Sequence, residues 1–236
     1  MPAYFASDVH LRLDHPERAR RFARWVDSLE GSDSLTIVGD LCDFWLASRQ
    51  LREASERCEG LKALRDFRAR GGDLTILPGN HDHWLGRFFH ESIGARYIEE
   101  PYEVEVYGLR LHISHGHRLV LSRIWKRWME GASFYYAFSH CPSLVANRLD
   151  HLLEGFNNRR RGVDNERLLA LFRGFVASRE NTDIVIFGHV HQTVDEKLDS
   201  TRMIVLGGWH EGTSYLKIDE SGANLIIASK AASIPW

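Results

Sequence analysis

Apolar runs of four or five residues recur along the first half of the chain, and each gives way to a polar cluster. Ala3–Ala6 leads into Ser7-Asp8-Val9-His10, residues 35–38 into Gly39-Asp40, 74–77 into Pro78-Gly79-Asn80-His81, and 111–114 into His115-Gly116-His117. Short apolar blocks bounded by turn residues predict buried strands. Between the first three lie helical stretches at 16–29, with Pro16 suited to a first helical position, and 51–70, closed by Gly71-Gly72. Strand, loop, helix, strand is the order of a layered α/β domain, in which functional loops gather at the carboxyl ends of the strands.

The second half adds a helix over 165–178 and a buried strand, Ile184–Phe187, that ends in Gly188-His189-Val190-His191. Further runs near Val194–Leu198, 203–206, 215–218 and 225–228 predict an antiparallel meander. With no repeat and no low-complexity linker, residues 1–236 read as a single domain with two sheets and an insert at 118–162. In the insert Val145, Leu149, Leu152, Leu153 and Phe156 fall at helical spacing, with Arg159, Arg160 and Arg161 at the end where the helix dipole favours cations. Trp125 and Trp128 interleave with Arg123, Lys126 and Arg127. Two readings stay open: a helical pair whose arginines are merely solvated, or an amphipathic cap that admits an apolar, anionic substrate or rests on a membrane surface.

Composition sharpens this division. The net charge of -2 over 236 residues looks uninformative, yet Arg118 to Arg161 hold eight basic and three acidic residues, a local +5, which leaves -7 on the rest. An acidic body thus carries a basic insert, and the body lacks the basic track that a nucleic-acid partner would need. Cys42, Cys58 and Cys141 form no CxxC pair, which argues against a thiolate zinc site and a disulfide framework and predicts a reducing, cytoplasmic setting. The start of the chain reaches Asp8 without the basic and apolar regions of a signal peptide, and no run approaches the ~20 apolar residues of a membrane span, so any membrane contact is expected to be peripheral.

The chemistry lies in the five polar clusters, which contain Asp8, His10, Asp40, Asp43, Asn80, His81, Asp82, His115, His117, His189 and His191. A lone Asp-x-His means little; five clusters in order, each directly after an apolar run, are a specific signal. Gly39, Gly79, Gly116 and Gly188 allow the tight turns. Carboxylate, imidazole and amide oxygen without thiolate suit Mn, Fe, Zn or Co, whereas several imidazoles argue against a pure Mg or Ca site. Two such cations roughly 3.5–4 Å apart clamp a phosphoryl group and lower the pKa of a bridging water, so phosphoester hydrolysis is the reaction such a set serves.

These motifs resemble the calcineurin-like metallophosphoesterase superfamily, whose pattern is D-x-H, G-D-x-x-D, G-N-H-D, a histidine before glycine, and G-H-x-H. The resemblance implies a four-layer αββα sandwich with a helical cap insert and a dinuclear site. It assigns Asp8, His10 and His191 to one metal, Asn80, His115 and His189 to the other, and Asp40 to both, with His81 as general acid or charge stabiliser and Asp82 orienting it. Within the superfamily the chain is similar to the UDP-2,3-diacylglucosamine pyrophosphatase family of lipid A biosynthesis, through 39–45, the insert, 208–212 and the terminal Pro235-Trp236. That likeness implies manganese, an anionic, acylated nucleotide substrate cleaved to UMP and an acylated sugar phosphate, and peripheral contact with the inner membrane through 118–162. Arg12, Trp125, Arg148, Arg159 and Arg160 are the candidate substrate contacts. The family typically has arginine where this chain has His81, glutamate for Asp43 and aspartate for His117, which keeps open a relative acting on another phosphodiester or phosphomonoester. No motif ligand is missing, which argues for an enzyme over a non-catalytic scaffold. Trp209 and His210 either flank the site or complete the core.

Overall fold

The computed structural model describes residues 1–43, 48–120, 161–210 and 212–229. Trp125, Arg148, Arg159, Arg160 and most of the 118–162 insert lie outside the described residues, as do Phe44-Trp45, Glu211 and Pro235-Trp236.

β1 (Ala3–Ala6), β2 (Ser34–Val38), β3 (Asp73–Leu77) and β4 (Arg96–Tyr97) pair in parallel. β10 (Gly212–Asp219) joins β1 antiparallel and β11 (Gly222–Ser229) follows it, giving the order β11-β10-β1-β2-β3-β4. The second sheet is β5 (Tyr102–Val106), β6 (Leu109–Ser114), β7 (Ile184–Phe187), β8 (Val194–Leu198) and β9 (Thr201–Val205), in the order β5-β6-β7-β9-β8. β6, β7 and β9 are parallel.

Period-two alternation builds the layers. Phe5, Val38, Leu77, Ile113, Ile184, Ile186 and Leu216 meet in one cluster between the sheets. The opposite faces of the first sheet, Leu35, Ile37, Leu74 and Ile76, pack on Phe22, Trp25 and Val26 of α1 (Pro16–Asp27) and Leu61, Leu64 and Phe67 of α3 (Glu59–Ala69). Val185, Phe187, Met203 and Val205 of the second sheet pack on Leu169, Phe172 and Val176 of α4 (Arg161–Ala177). Helices, sheet, sheet, helix is the expected four-layer α/β arrangement, and burying both faces of each sheet explains why the strands read as continuous apolar runs.

Two expectations change. The helix expected over 51–70 is two, α2 (Ser48–Arg57) and α3, broken at Cys58, whose extended backbone (φ -79°, ψ 111°) ends one helix and starts the next. Gly60 then lets α3 approach closely, since a Cβ there would lie 2.8 Å from Leu11. The meander is two hairpins in different sheets: β8–β9 extends the second sheet from β7, while β10–β11 crosses back to β1. Among the described residues no helix is long and apolar enough to cross a membrane.

Candidate metal centre

The loops after β1, β2, β3, β6 and β7 converge. Beyond β1 and β2 the chains keep pairing, with His10 N–H donating to Asp40 O (3.0 Å) and Leu11 N–H to Leu41 O (2.8 Å). Asp8, His10, Asp40, His189 and His191 all take positive φ, between 49° and 69°. Left-handed backbone costs a non-glycine residue of order 1–3 kcal/mol, and its concentration here points to a site that needs these side chains in these directions. Gly79 and Gly188 serve by approach instead: a Cβ on Gly79 would lie 2.0 Å from Asp40 Oδ1, and one on Gly188 2.0 Å from Ser7 Oγ.

Asp8, Asp40 and His115 are each held by one atom and aim another inward. Asp8 Oδ2 accepts from Ser7 Oγ (2.6 Å) and His189 N–H (2.9 Å), while Oδ1 lies 3.2 Å from His191 Nε2 and 3.8 Å from His10 Nε2. Asp40 Oδ1 accepts from His81 N–H (2.9 Å), while Oδ2 lies 3.3 Å from His115 Nε2 and 3.8 Å from His10 Nε2. His115 Nδ1 lies 2.9 Å from the Val38 carbonyl, to which it donates, so the neutral ring would carry its lone pair on Nε2. Among the described residues Asp8 Oδ1, Asp40 Oδ2, Asn80 Oδ1 and His115 Nε2 are buried and have no hydrogen-bond partner. Orphaned buried acceptors facing one another are costly unless a cation lies between them.

The electrostatics say the same. Burial alone would depress His10 and His115, but the neighbouring carboxylates of Asp43 and Asp8 raise His10 to about 10, and the Asp40 charge raises His115 to about 10. Burial would raise Asp40, yet His115 and its neighbours hold its carboxyl well below the usual range. His189, buried and beside His115, is pushed down to about 3. The cluster takes up protons where it has no other cation, which fits carboxylate, imidazole and amide oxygen to divalent metal. Among the described residues three groups could hold a metal: Asp8, His10 and His191; His10, Asp40 and His81; and Asp40, His115 and His189. Cys42 belongs to none of these groups, and burial and the Asp82 charge push its thiol well above the usual value.

Other expected residues take specific places. His81 Nδ1 lies 2.7 Å from Asp43 Oδ1, so the carboxylate that orients His81 is Asp43, whereas Asp82 was expected in that role. Asp82 accepts from the backbone N–H groups of Gly79 (2.9 Å) and Cys42 (3.2 Å), tying the loop after β3 to the loop after β2. Neighbours in a turn point apart, so adjacency in sequence was a poor guide; the second aspartate of G-D-x-x-D was the better signal. Arg12 is buried, paired with Asp14 (2.8 and 2.9 Å), and lies 3.5 Å from Asp43 Oδ2. Trp209 completes the core against Phe22 and Trp25, while the His210 ring lies 5.2 Å from those of His10 and His191. Ser7, not anticipated, braces Asp8; its place directly before the first motif was the available signal.

Four layers and a histidine–carboxylate centre at strand ends define a metal-dependent phosphoesterase, and the calcineurin-like phosphoesterase family model matches residues 1–193. The chain belongs to that family and is a hydrolase. Among curated proteins it is similar to the UDP-2,3-diacylglucosamine hydrolase of Shewanella oneidensis, 28% identical over 95% of this chain and 97% of that one. The proteins of the same name from Porphyromonas gingivalis, 25% identical over 96% of each chain, and Haemophilus influenzae, 23% identical over 93% of this chain and 96% of that one, are similar too. A solved archaeal phosphodiesterase is 16% identical, with a TM-score of 0.48 over 96% of this chain and 99% of that one.

Proposed function

We propose that the chain is a dinuclear-metal phosphohydrolase that cleaves the pyrophosphate of UDP-2,3-diacylglucosamine to UMP and 2,3-diacylglucosamine 1-phosphate. The observation that carries the dinuclear reading is the approach of His10 Nε2 (3.8 Å) and His115 Nε2 (3.3 Å), from separate loops, to the same buried Asp40 Oδ2. Asp8, His10 and His191 would hold one cation, Asn80, His115 and His189 the other, and Asp40 both. Bound there, two divalent cations, manganese by family likeness, supply charge neutralisation of the phosphate oxygens and a lowered pKa for the attacking water. The name shared by relatives along more than nine-tenths of both chains supports the substrate.

The chain's own residues do the rest. As water adds to one phosphorus, gives up its proton to solvent and opens the P–O–P bond, negative charge builds on the departing phosphate oxygen. His81 is oriented to neutralise it as general acid or charge stabiliser: Asp43 fixes Nδ1, and Nε2 stands 4.0 Å from Asp40 Oδ2, at the edge of the cluster. The basic, aromatic segment at 118–162, with Trp125, Arg148, Arg159 and Arg160, supports the acylated substrate by its sequence, receiving acyl chains and phosphates together at the surface of the inner membrane. The test is turnover by manganese-loaded protein of UDP-2,3-diacylglucosamine against bis(p-nitrophenyl) phosphate. Release of UMP with a strong preference for the acylated nucleotide supports the reading; turnover of the small ester alone replaces it with a phosphodiesterase of water-soluble substrates.

A further inference from the structure

We propose that Glu100 is a positioning residue for the His115 side of the cluster, setting how tightly the second cation is held. This rests on the ligand assignment above. Glu100 lies between β4 and β5, outside every motif, and is buried at 7% exposure. Its Oε2 accepts from the backbone N–H of His115 (2.7 Å) and from Ser114 Oγ (2.9 Å). Its Oε1 lies 3.3 Å from His117 Nδ1 and 3.4 Å from Arg118 Nε. Gly116 N–H, the remaining donor of this turn, goes to Ser114 Oγ (3.2 Å), the hydroxyl that Glu100 orients. One carboxylate thus organises the whole exit of β6.

His115 is the residue this turn carries, and its other polar atoms are all held. Its N–H goes to Glu100, its carbonyl accepts from Gly188 N–H (3.3 Å), and Nδ1 donates to Val38 O (2.9 Å). Gly39 leaves the ring no slack on its own side, since a Cβ there would lie 2.5 Å from Nδ1. What remains is Nε2, without a hydrogen bond and 3.3 Å from Asp40 Oδ2. Of the three restraints the one from Glu100 is the shortest and has a carboxylate as its acceptor. Groups that hold metal ligands in this way typically cost ~10–100-fold in metal affinity when removed.

The effect should be one-sided. The opposite ligands are braced elsewhere, Asp8 by Ser7 Oγ and His189 N–H and His10 by Asp40 O. A merely structural Glu100 would lower the melting temperature and weaken both cations alike; a positioning role weakens one.

The experiment is a manganese titration of chelator-stripped, full-length protein, free Mn²⁺ being followed by its electron paramagnetic resonance signal. Wild type should bind two Mn²⁺ per chain. E100A should keep one at wild-type affinity and weaken the other ~10–100-fold, and E100Q, which retains an acceptor for the His115 N–H, should fall between. E99Q, altering the exposed neighbour that pairs with Arg118, should match wild type. H115A should lose the same single site, and E100A/H115A should lose no more than H115A. If E100A does not fold, E100Q carries the comparison. Wild-type affinities at both sites in the Glu100 variants, or equal weakening of both, overturn the inference. Fewer than two Mn²⁺ in wild type overturns the ligand assignment and this inference with it.

Discussion

Replacing Asp82 by asparagine should change how stability depends on pH. In the metal-free protein burial and the Asp40 charge push the Asp82 carboxyl from 3.8 to about 6, against the pull of the Gly79 and Cys42 N–H donors. Between those values the folded chain keeps a proton that the unfolded chain has released. The stabilising contribution is complete below pH 3.8, falls by ~1.4 kcal/mol per pH unit, and is gone above about pH 6. Asparagine does not titrate. The stability of D82N relative to wild type should therefore climb by ~2 kcal/mol from about pH 4.5 to about pH 6 and stay level to about pH 8. A constant offset of ~1–3 kcal/mol lies beneath this slope, because asparagine keeps one acceptor and turns its NH₂ toward the other buried N–H. Urea unfolding of both chelator-stripped proteins across this range measures the difference. A value flat to within ~0.5 kcal/mol would refute the reasoning.

Asp43→Asn should lower kcat ~100-fold at saturating Mn²⁺, because His81 loses its orienting carboxylate; an unchanged rate contradicts that role. Gly79→Ala should cost ~3 kcal/mol or more and lower Tm by ~6–12 °C, since the new Cβ would sit 2.0 Å from Asp40 Oδ1 and 2.3 Å from Asp40 N, and an unshifted melting curve would mean that the loops yield. His10 and His115 are raised to about 10 without metal, so at pH 8 loading manganese should expel about two protons per chain, read by calorimetry in buffers of different ionisation enthalpy; no release would contradict protonation of the metal-free cluster.

The site was legible because each ligand loop directly follows a strand buried on both faces, so apolar run and polar cluster stand side by side in the chain. Val38-Gly39-Asp40 and Phe187-Gly188-His189 are instances. The pairing of distant strands was less so. Local signals mark β8–β9 and β10–β11 as hairpins, but the sheet each joins depends on which neighbour, β7 or β1, is left with an open edge. β5 went unnoticed although Tyr102, Val104 and Val106 alternate with Glu103 and Glu105, a period-two pattern that an antiparallel strand with one wet face requires. Glu100 could not be found by motif, since its partners, residues 114 to 118, are reached only when β5 pairs with β6.

The most direct test of the central claim is a crystal structure of the manganese-loaded protein with anomalous scattering recorded at the manganese edge. Two peaks are expected: one against Asp8 Oδ1, His10 and His191, the other against Asn80 Oδ1, His115 Nε2 and His189, with Asp40 Oδ2 reaching both. A single peak, none, or a pair that Asp40 does not bridge would contradict the claim.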